Sequence, residues 1–306
     1  MSQNNYLIIG GSTKCGTTSV FNYFEFHPEI CACTMKESRY FWTNDYPLEA
    51  TARVHQKVNS FEDLFGDCNK NRVRLEATPD YLYSVETAKK IKTCLPNCKM
   101  VFILRDPVER LISWYKFAQL NGLIEKSVLF NEYVKLQEKN SNSNLPQHLR
   151  SLEQGKYAEH LKTYIEIFGR ENVLITFYED LAADPLSFCT KISNFTGINA
   201  DYFKTYEFKV FNRSVGKRSV GAHKLFRKFK RTIRPATRLL HDSLRKRLKL
   251  AGYNLEKAYT SANSDGNNNI FEMDSEMRKH LITTYTNDVN QIKQLTGIIP
   301  PWNNFS

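Results

Sequence analysis

The sequence predicts an α/β protein: a central parallel β-sheet of about five strands flanked by helices, with a C-terminal helical extension. Three observations carry that expectation. Short apolar runs bounded by turn residues recur along the chain. Stretches with helical period, roughly 10–15 residues long, lie between them. The first apolar run feeds a glycine turn that opens a helix, and such alternation builds a parallel sheet covered on both faces.

Tyr6-Leu7-Ile8-Ile9-Gly10 reads as a short buried strand entering the glycine turn. From Thr17, the spacing of Val20, Phe21 and Phe24 predicts a helix that His27-Pro28 terminates. Further strands are expected over Arg72–Ala77, over the continuous apolar run Lys99–Leu104, and over Val173–Tyr178. Helices are expected over Ser84–Leu95, Pro107–Leu120, Leu152–Phe168 and Pro185–Phe195. Asn140–Asn144 is a polar loop between helices, and Ser261–Asn269 is a second stretch of low order. Met277, Leu281, Tyr285 and Ile292 restore a helical period, with Asp274 as N-cap. No internal repeat is present. Residues 1–306 are therefore expected to form one domain. It carries a basic, partly flexible insertion-like segment over 223–270 and a docked C-terminal helix and tail over 274–302.

The chain of 306 residues is 41% hydrophobic and 25% charged, a soluble globular composition able to bury a sizeable core. No stretch approaches the roughly 18 apolar residues of a membrane span. Met1–Asn5 lacks the basic start of a signal peptide, which points to the cytoplasm. Seven cysteines are an odd and sparse set. Cys31-Ala32-Cys33 and Cys94-Leu95-Pro96-Asn97-Cys98 have no partner set at zinc-ligand spacing, so buried free thiols and no metal are expected. The formal charge is +11, and residues 223–249 hold eleven Lys and Arg against Asp242 alone. That concentration suits an acidic membrane surface, with a solvated helical face as the bland alternative. Phe226 and Phe229 interleave with the charges above an incomplete apolar face, as in an interfacial helix at the inner membrane surface. No groove-reading or base-stacking motif is present, which argues against nucleic acid.

Two motifs carry chemistry. In Gly10-Gly11-Ser12-Thr13-Lys14-Cys15-Gly16-Thr17-Thr18 a strand enters a glycine turn that opens a helix. Amides at a helix start have no intrahelical partners and the helix dipole adds positive potential, so the turn is an anion site in a P-loop-like three-layer arrangement. It is not a Walker A loop, where lysine follows the last glycine; here Lys14 precedes Gly16. A kinase or nucleotide hydrolase is thereby the weaker enzyme reading, and a basic membrane-surface or nucleic-acid adaptor is the non-enzymatic one. The second motif is Leu104-Arg105-Asp106-Pro107-Val108-Glu109-Arg110-Leu111-Ile112-Ser113-Trp114-Tyr115. Arg105 at a strand end and Ser113 in the following helix suit one phosphate. On pattern alone, Arg105 equally suits an ion pair with Asp106 or Glu109.

Lys14-Cys15-Gly16-Thr17-Thr18 resembles the 5′-phosphosulfate loop of sulfotransferases that use 3′-phosphoadenylyl sulfate (PAPS), and Arg105–Tyr115 resembles their 3′-phosphate motif. Met35–Phe41, Leu75–Leu82, Gly155–Leu161, Tyr178–Leu181 and the closing Ile299-Pro300-Pro301-Trp302 extend the resemblance, which is to the bacterial and heparan-sulfate-type branch. It implies in-line sulfuryl transfer to a hydroxyl or amine of a glycan, glycolipid or small metabolite, without a metal. Lys14 is implied to follow the charge on the bridging oxygen. The amides of Cys15, Gly16, Thr17 and Thr18 would hold the 5′-phosphate, and Arg105 and Ser113 the 3′-phosphate. Lys217 and Arg218 match a loop that closes over the nucleotide, and Tyr157 matches a position near nucleotide or acceptor. Glu37 in Lys36-Glu37-Ser38-Arg39 matches the branch's general base, which needs a raised pKa among its cations. The bland reading of Glu37 is a carboxylate paired with Lys36 or Arg39, and Glu76 is its competitor as base. His27 and His160 match no catalytic position and are expected to be structural. Ala77 stands where glycan-acting relatives carry lysine, which counts against a polyanionic acceptor.

Overall fold

The computed structural model describes residues 5–43, 45–47, 60–66, 68–69, 72–140, 145–209, 251–252 and 273–305. Lys217, Arg218, the basic segment 223–249 and the loop 261–269 lie outside the described residues. The chain falls into two compact units. One comprises 1–115, 129–212 and 273–306, and the other 116–128 and 213–272. In the described part of the second unit, Gln119 Nε2 donates to the carbonyls of Lys126 at 3.3 Å and Val128 at 3.2 Å, closing the turn there.

The first unit holds a sheet of five parallel strands in the order β2-β3-β1-β4-β5. These are β1 Tyr6–Gly11, β2 Ile30–Ala32, β3 Val73–Ala77, β4 Lys99–Leu104 and β5 Val173–Phe177. The helices are α1 Thr17–Phe24, α2 Val85–Cys94, α3 Pro107–Leu120, α4 Phe130–Lys139, α5 Ala158–Phe168, α6 Tyr178–Ala183, α7 Pro185–Thr196 and α8 Ser275–Thr296. The expected α/β class and five-stranded parallel sheet are thus observed.

Alternation along the strands sets the layers. Leu7 and Ile9 of β1, Leu75 and Ala77 of β3, and Val101 and Ile103 of β4 point to one face. There they meet Val20, Phe21 and Phe24 of α1 and Phe188, Cys189 and Ile192 of α7. Period-two side chains from the same strands supply the opposite face. Phe102 meets Tyr164 of α5 there, with ring centroids 4.7 Å apart.

Several boundaries differ from expectation. α1 stops at Phe24, and His27 beyond it is fully buried, its Nε2 2.8 Å from the Asn199 carbonyl. The helix expected from Leu152 starts at Ala158. Its first residues form a 3-10 turn, Glu153–Gly155, and Lys156 is extended. Gly155 sits against Tyr285 of α8, where a Cβ would lie 2.7 Å from the phenol oxygen, so packing interrupts the periodic run. Near the C-terminus the reading holds: Asp274 Oδ1 accepts from the Met277 amide at 2.6 Å, and Met277, Leu281, Tyr285 and Ile292 are buried.

The cysteine reading is corrected. Cys31 and Cys68 form a disulfide, and Cys94 is exposed, so only Cys15, Cys33, Cys98 and Cys189 are buried free thiols. The fold brings the end of β2 against the segment before β3, a proximity that a separation of 37 residues does not announce. Among the described residues no helix is long and apolar enough to cross a membrane, and no group of His, Cys, Asp and Glu could hold a metal.

Candidate active site

From β1 the chain crosses toward β3 and β2, whereas from β4 it proceeds to β5. The carboxyl ends of β1 and β4 therefore flank a topological switch point, the usual place for a ligand in an open parallel sheet. The glycine-turn motif leaves β1 there and Arg105 leaves β4. The Ser12 amide donates to the Ile103 carbonyl at 2.8 Å, and Arg105 Nη1 donates to the Lys14 carbonyl at 3.4 Å. The structure thus brings the two motifs together.

Within the turn, Lys14 has φ +67° and Gly16 φ +81°. Gly16 directly precedes α1, and a Cβ on it would come 2.8 Å from Leu181 Cδ2. Left-handed residues so close together curl the backbone into a nest of amides at the helix start. Thr17 and Thr18 open the helix, Thr17 buried and Thr18 half-buried. Cys15 is fully buried, its Sγ 3.5 Å from the Thr13 carbonyl. Burial outweighs the nearby Arg110 and Arg105 charges and pushes its thiol up to about 11, so the side chain is inert.

Arg105 makes no ion pair among the described residues. Its guanidinium lies 4.6 Å from the Tyr178 ring centroid. The acids that sequence offers it are engaged elsewhere. Asp106 Oδ1 accepts from the amides of Val108 at 2.9 Å and Glu109 at 3.3 Å, capping α3, while Oδ2 accepts from Asn304 at 2.7 Å. Glu109 pairs with Arg278 of α8 at 3.2 Å. Ser113 is half-buried in the second turn of α3. Tyr157 is fully buried, and its hydroxyl donates to the Arg105 carbonyl at 2.9 Å. It therefore braces the main chain of Arg105 and exposes no surface to a ligand.

Glu37 follows β2 in space, its amide donating to the Ala77 carbonyl at 2.9 Å. Its carboxylate pairs with Lys36 Nζ at 2.8 Å and Arg39 Nη2 at 3.0 Å, and 37% of the side chain is exposed. The raised pKa expected of a base is corrected here. Burial pushes the Glu37 pKa upward, but the Lys36 and Arg39 charges outweigh it and hold the carboxyl at about 2. Glu76 is fully buried. Its Oε1 accepts from the Ser38 amide at 3.2 Å, the Ser38 hydroxyl at 2.9 Å and the Thr78 hydroxyl at 2.6 Å. Glu76 is thus a latch for the loop that presents Glu37. His160 lies edge-on to the Tyr83 ring at 5.5 Å, and burial lowers its pKa, as a structural histidine requires.

Sequence reasoning left several connecting residues unassigned. Tyr83, in the 3-10 helix Pro79–Tyr83, bonds Ser12 Oγ at 2.7 Å. Asp80 of the same helix meets Arg39 at 3.5 Å and accepts from Gln147 Nε2 at 2.7 Å. One short helix thereby spaces the Glu37 loop from the glycine turn. Arg110 is fully buried beneath the turn, its Nη1 3.5 Å from Thr13 Oγ1. In the sequence Arg110 shows only as the second arginine of the Arg105–Tyr115 motif, and nothing local marks it as a buried charge. Backbone geometry converges on the same places. Among the described residues the non-glycine positions with positive φ are Lys14, in the glycine turn, and Glu37 and Arg39, in the Glu37 loop. Such conformations collect where function fixes the backbone.

A family model described as a sulfotransferase domain matches residues 4–231. The chain is 25% identical over 209 residues to the bifunctional heparan sulfate N-deacetylase/N-sulfotransferase 4 of Mus musculus, covering 64% of this chain and 22% of that protein. It is 37% identical over 119 residues to the membrane-associated sulfotransferase kil1 of Dictyostelium discoideum, covering 37% of this chain and 23% of that protein. To the heparan sulfate glucosamine 3-O-sulfotransferase 3B1 of Mus musculus it is 24% identical over 192 residues, covering 62% of this chain and 45% of that protein. The matched region spans less than half the length of each of these relatives. A solved sulfotransferase from Alicyclobacillus acidocaldarius shares the fold over 97% of both chains, with a TM-score of 0.66 at 20% identity.

Proposed function

Because the chain belongs to the sulfotransferase domain family, we propose that it moves a sulfuryl group from PAPS to a hydroxyl or amine of a glycan. A glycolipid or small metabolite is the narrower-supported acceptor. The observation that carries this reading is the pairing of the Lys14–Thr18 turn with Arg105, which makes no ion pair among the described residues, at one switch point. A nucleotide phosphorylated at both ends fits two anion sites so placed. The residues present also fit such a group: an amide nest closed to any Cβ at Gly16, and a buried cation, Arg110, under the nest.

PAPS supplies the activated sulfuryl group; everything else falls to the chain. The amides of Cys15, Gly16, Thr17 and Thr18 would hold the 5′-phosphate, and Arg105 with Ser113 the 3′-phosphate. Lys217 and Arg218 are assigned to the same nucleotide as a closing loop. Lys14 carries the cation that offsets charge on the leaving phosphate oxygen, so catalysis is mostly orientation and electrostatic stabilisation. Glu37 takes the acceptor proton as the carboxylate that reaches solvent, Glu76 being buried. Paired with Lys36 and Arg39 and held at about 2 it is a weak base, so its contribution belongs at the low end of general-base catalysis. Tyr157 acts as a positioning residue through the Arg105 carbonyl. The heparan sulfate enzymes among the relatives support a glycan acceptor; Lys36 and Arg39 are taken up by Glu37 and do not replace the lysine for which Ala77 stands.

Location belongs to the same reading. The Cys31–Cys68 bridge supports work in an oxidising compartment, against the cytoplasmic expectation. The membrane-associated relative supports attachment at a membrane surface, a role we assign to residues 223–249. Incubation with radiolabelled PAPS and an unsulfated heparan-type glycan tests the reaction. Wild-type protein is expected to label the glycan and Glu37→Gln to lose about 10²-fold in rate, the low end of the scale of a general base. Undiminished transfer by the variant removes Glu37 as base, and no transfer to any glycan, glycolipid or extract fraction removes the reading.

A further inference from the structure

Arg110 is a guanidinium sealed in the interior. It is fully buried, and no carboxylate lies within ion-pair distance among the described residues. Nη1 reaches Thr13 Oγ1 at 3.5 Å, Nη2 donates to the Ser151 carbonyl, and Nε has no hydrogen-bond partner. The titratable groups that face it are the phenols of Tyr83, Tyr133, Tyr157 and Tyr285 and the thiol of Cys15. Burial raises the pKa of each, so at neutral pH all five are uncharged. An arginine keeps its proton throughout. The site therefore holds a full positive charge in a poorly polarisable interior with nothing opposite it, an arrangement that costs free energy.

The position of that charge says what balances it. Arg110 touches the turn through Thr13, the residue before Lys14, while Tyr83 bonds both Ser12 at 2.7 Å and Thr13 at 3.4 Å. It also lies one helical turn before Ser113 on α3, inside the second motif and between Arg105 and Ser113 in sequence. We infer that Arg110 is a buried counter-charge for the donor nucleotide, attracting its phosphates through the floor of the turn without touching them. It is a positioning and electrostatic residue, and it gives the site a standing preference for a multiply charged nucleotide over a neutral nucleoside. A field of this kind acts through low-dielectric protein, so it survives salt better than the surface lysines do.

This inference rests on the proposed function and has a separate point of failure. Adenosine 3′,5′-bisphosphate (PAP) and adenosine are titrated against wild type and Arg110→Gln by calorimetry. Gln keeps amide donors toward Thr13 and Ser151 and removes the charge. PAP affinity is expected to fall about tenfold or more, the scale of one unit charge acting over a few ångströms of protein, while adenosine binding stays unchanged. Equal PAP affinity in both proteins overturns the inference, as does an equal loss for PAP and adenosine, which a merely structural role gives. Failure of wild type to bind PAP overturns the proposed function instead.

Should Arg110→Gln not fold, Arg110→Lys decides the matter. An amine buried without a counter-ion has its pKa depressed toward neutrality, so its charge is lost as pH rises. The PAP affinity of Arg110→Lys, taken as a ratio to wild type at each pH, is then expected to fall between about pH 6 and 9. A ratio that stays constant over that range overturns the inference.

Discussion

At the scale of the residue, two glutamates close together are tuned in opposite directions. Glu37 is held at about 2 by Lys36 and Arg39, whereas burial raises Glu76 against its hydrogen bonds from Thr78 and Ser38. A carboxyl with a depressed pKa contributes its pairing fully above its unfolded value and loses it as pH falls toward about 2. The rate profile for transfer should therefore be flat from about pH 5 to 8 on the acidic side, with no carboxylate limb. Arg39→Ala removes one cation and should bring that limb up toward the ordinary carboxylate range. A wild-type limb near pH 6 contradicts the assignment. Glu76 has a different signature. Glu76→Ala leaves three donors unsatisfied in the interior and should cost about 2–4 kcal/mol in urea unfolding. Glu76→Gln keeps an acceptor and should cost about 1 kcal/mol or less. Activity should follow stability in this pair, because Glu76 acts through the loop that carries Glu37.

At the scale of the element, what was legible in sequence follows from length and periodicity. β1 and β4 are continuous apolar runs between turn residues, and α8 repeats buried residues at helical spacing, so all three are readable. β2 has only Ile30–Ala32, too few residues to show a period, and α6 follows β5 without a break. The 3-10 helix Pro79–Tyr83 is buried along its length and carries the contacts that join the Glu37 loop to the glycine turn. Nothing in its local sequence announces a role that depends on what lies across from it. The C-terminal tail is a similar case. Trp302 is buried, its Nε1 donating to Glu179 Oε2 at 3.1 Å, and Glu179 Oε1 accepts from the Asp106 amide at 3.0 Å. The tail therefore buttresses the residue after Arg105. Trp302→Ala should destabilise the protein by about 3–5 kcal/mol and weaken PAP binding in calorimetry. Unchanged PAP affinity in a folded variant would show that the tail serves stability alone.

At the scale of the whole molecule, the sheet order puts both motifs at one switch point, a placement that strand–helix alternation does not give, because alternation sets the class of sheet and not the order of its strands. The disulfide was not readable, because an odd cysteine count says nothing about which two thiols meet. Under denaturing, non-reducing conditions, thiol titration should find five free cysteines, rising to seven after reduction. Seven without reduction would remove the bridge and the argument for an oxidising compartment with it. The central claim is that the Lys14–Thr18 turn and Arg105 grip one nucleotide by both ends. Thermal unfolding with added nucleotide tests it most directly. PAP should raise the melting temperature in a concentration-dependent way, and Arg105→Ala should abolish most of that rise, because a ligand stabilises only what it binds. A melting temperature indifferent to PAP but raised by ATP with magnesium would contradict the account.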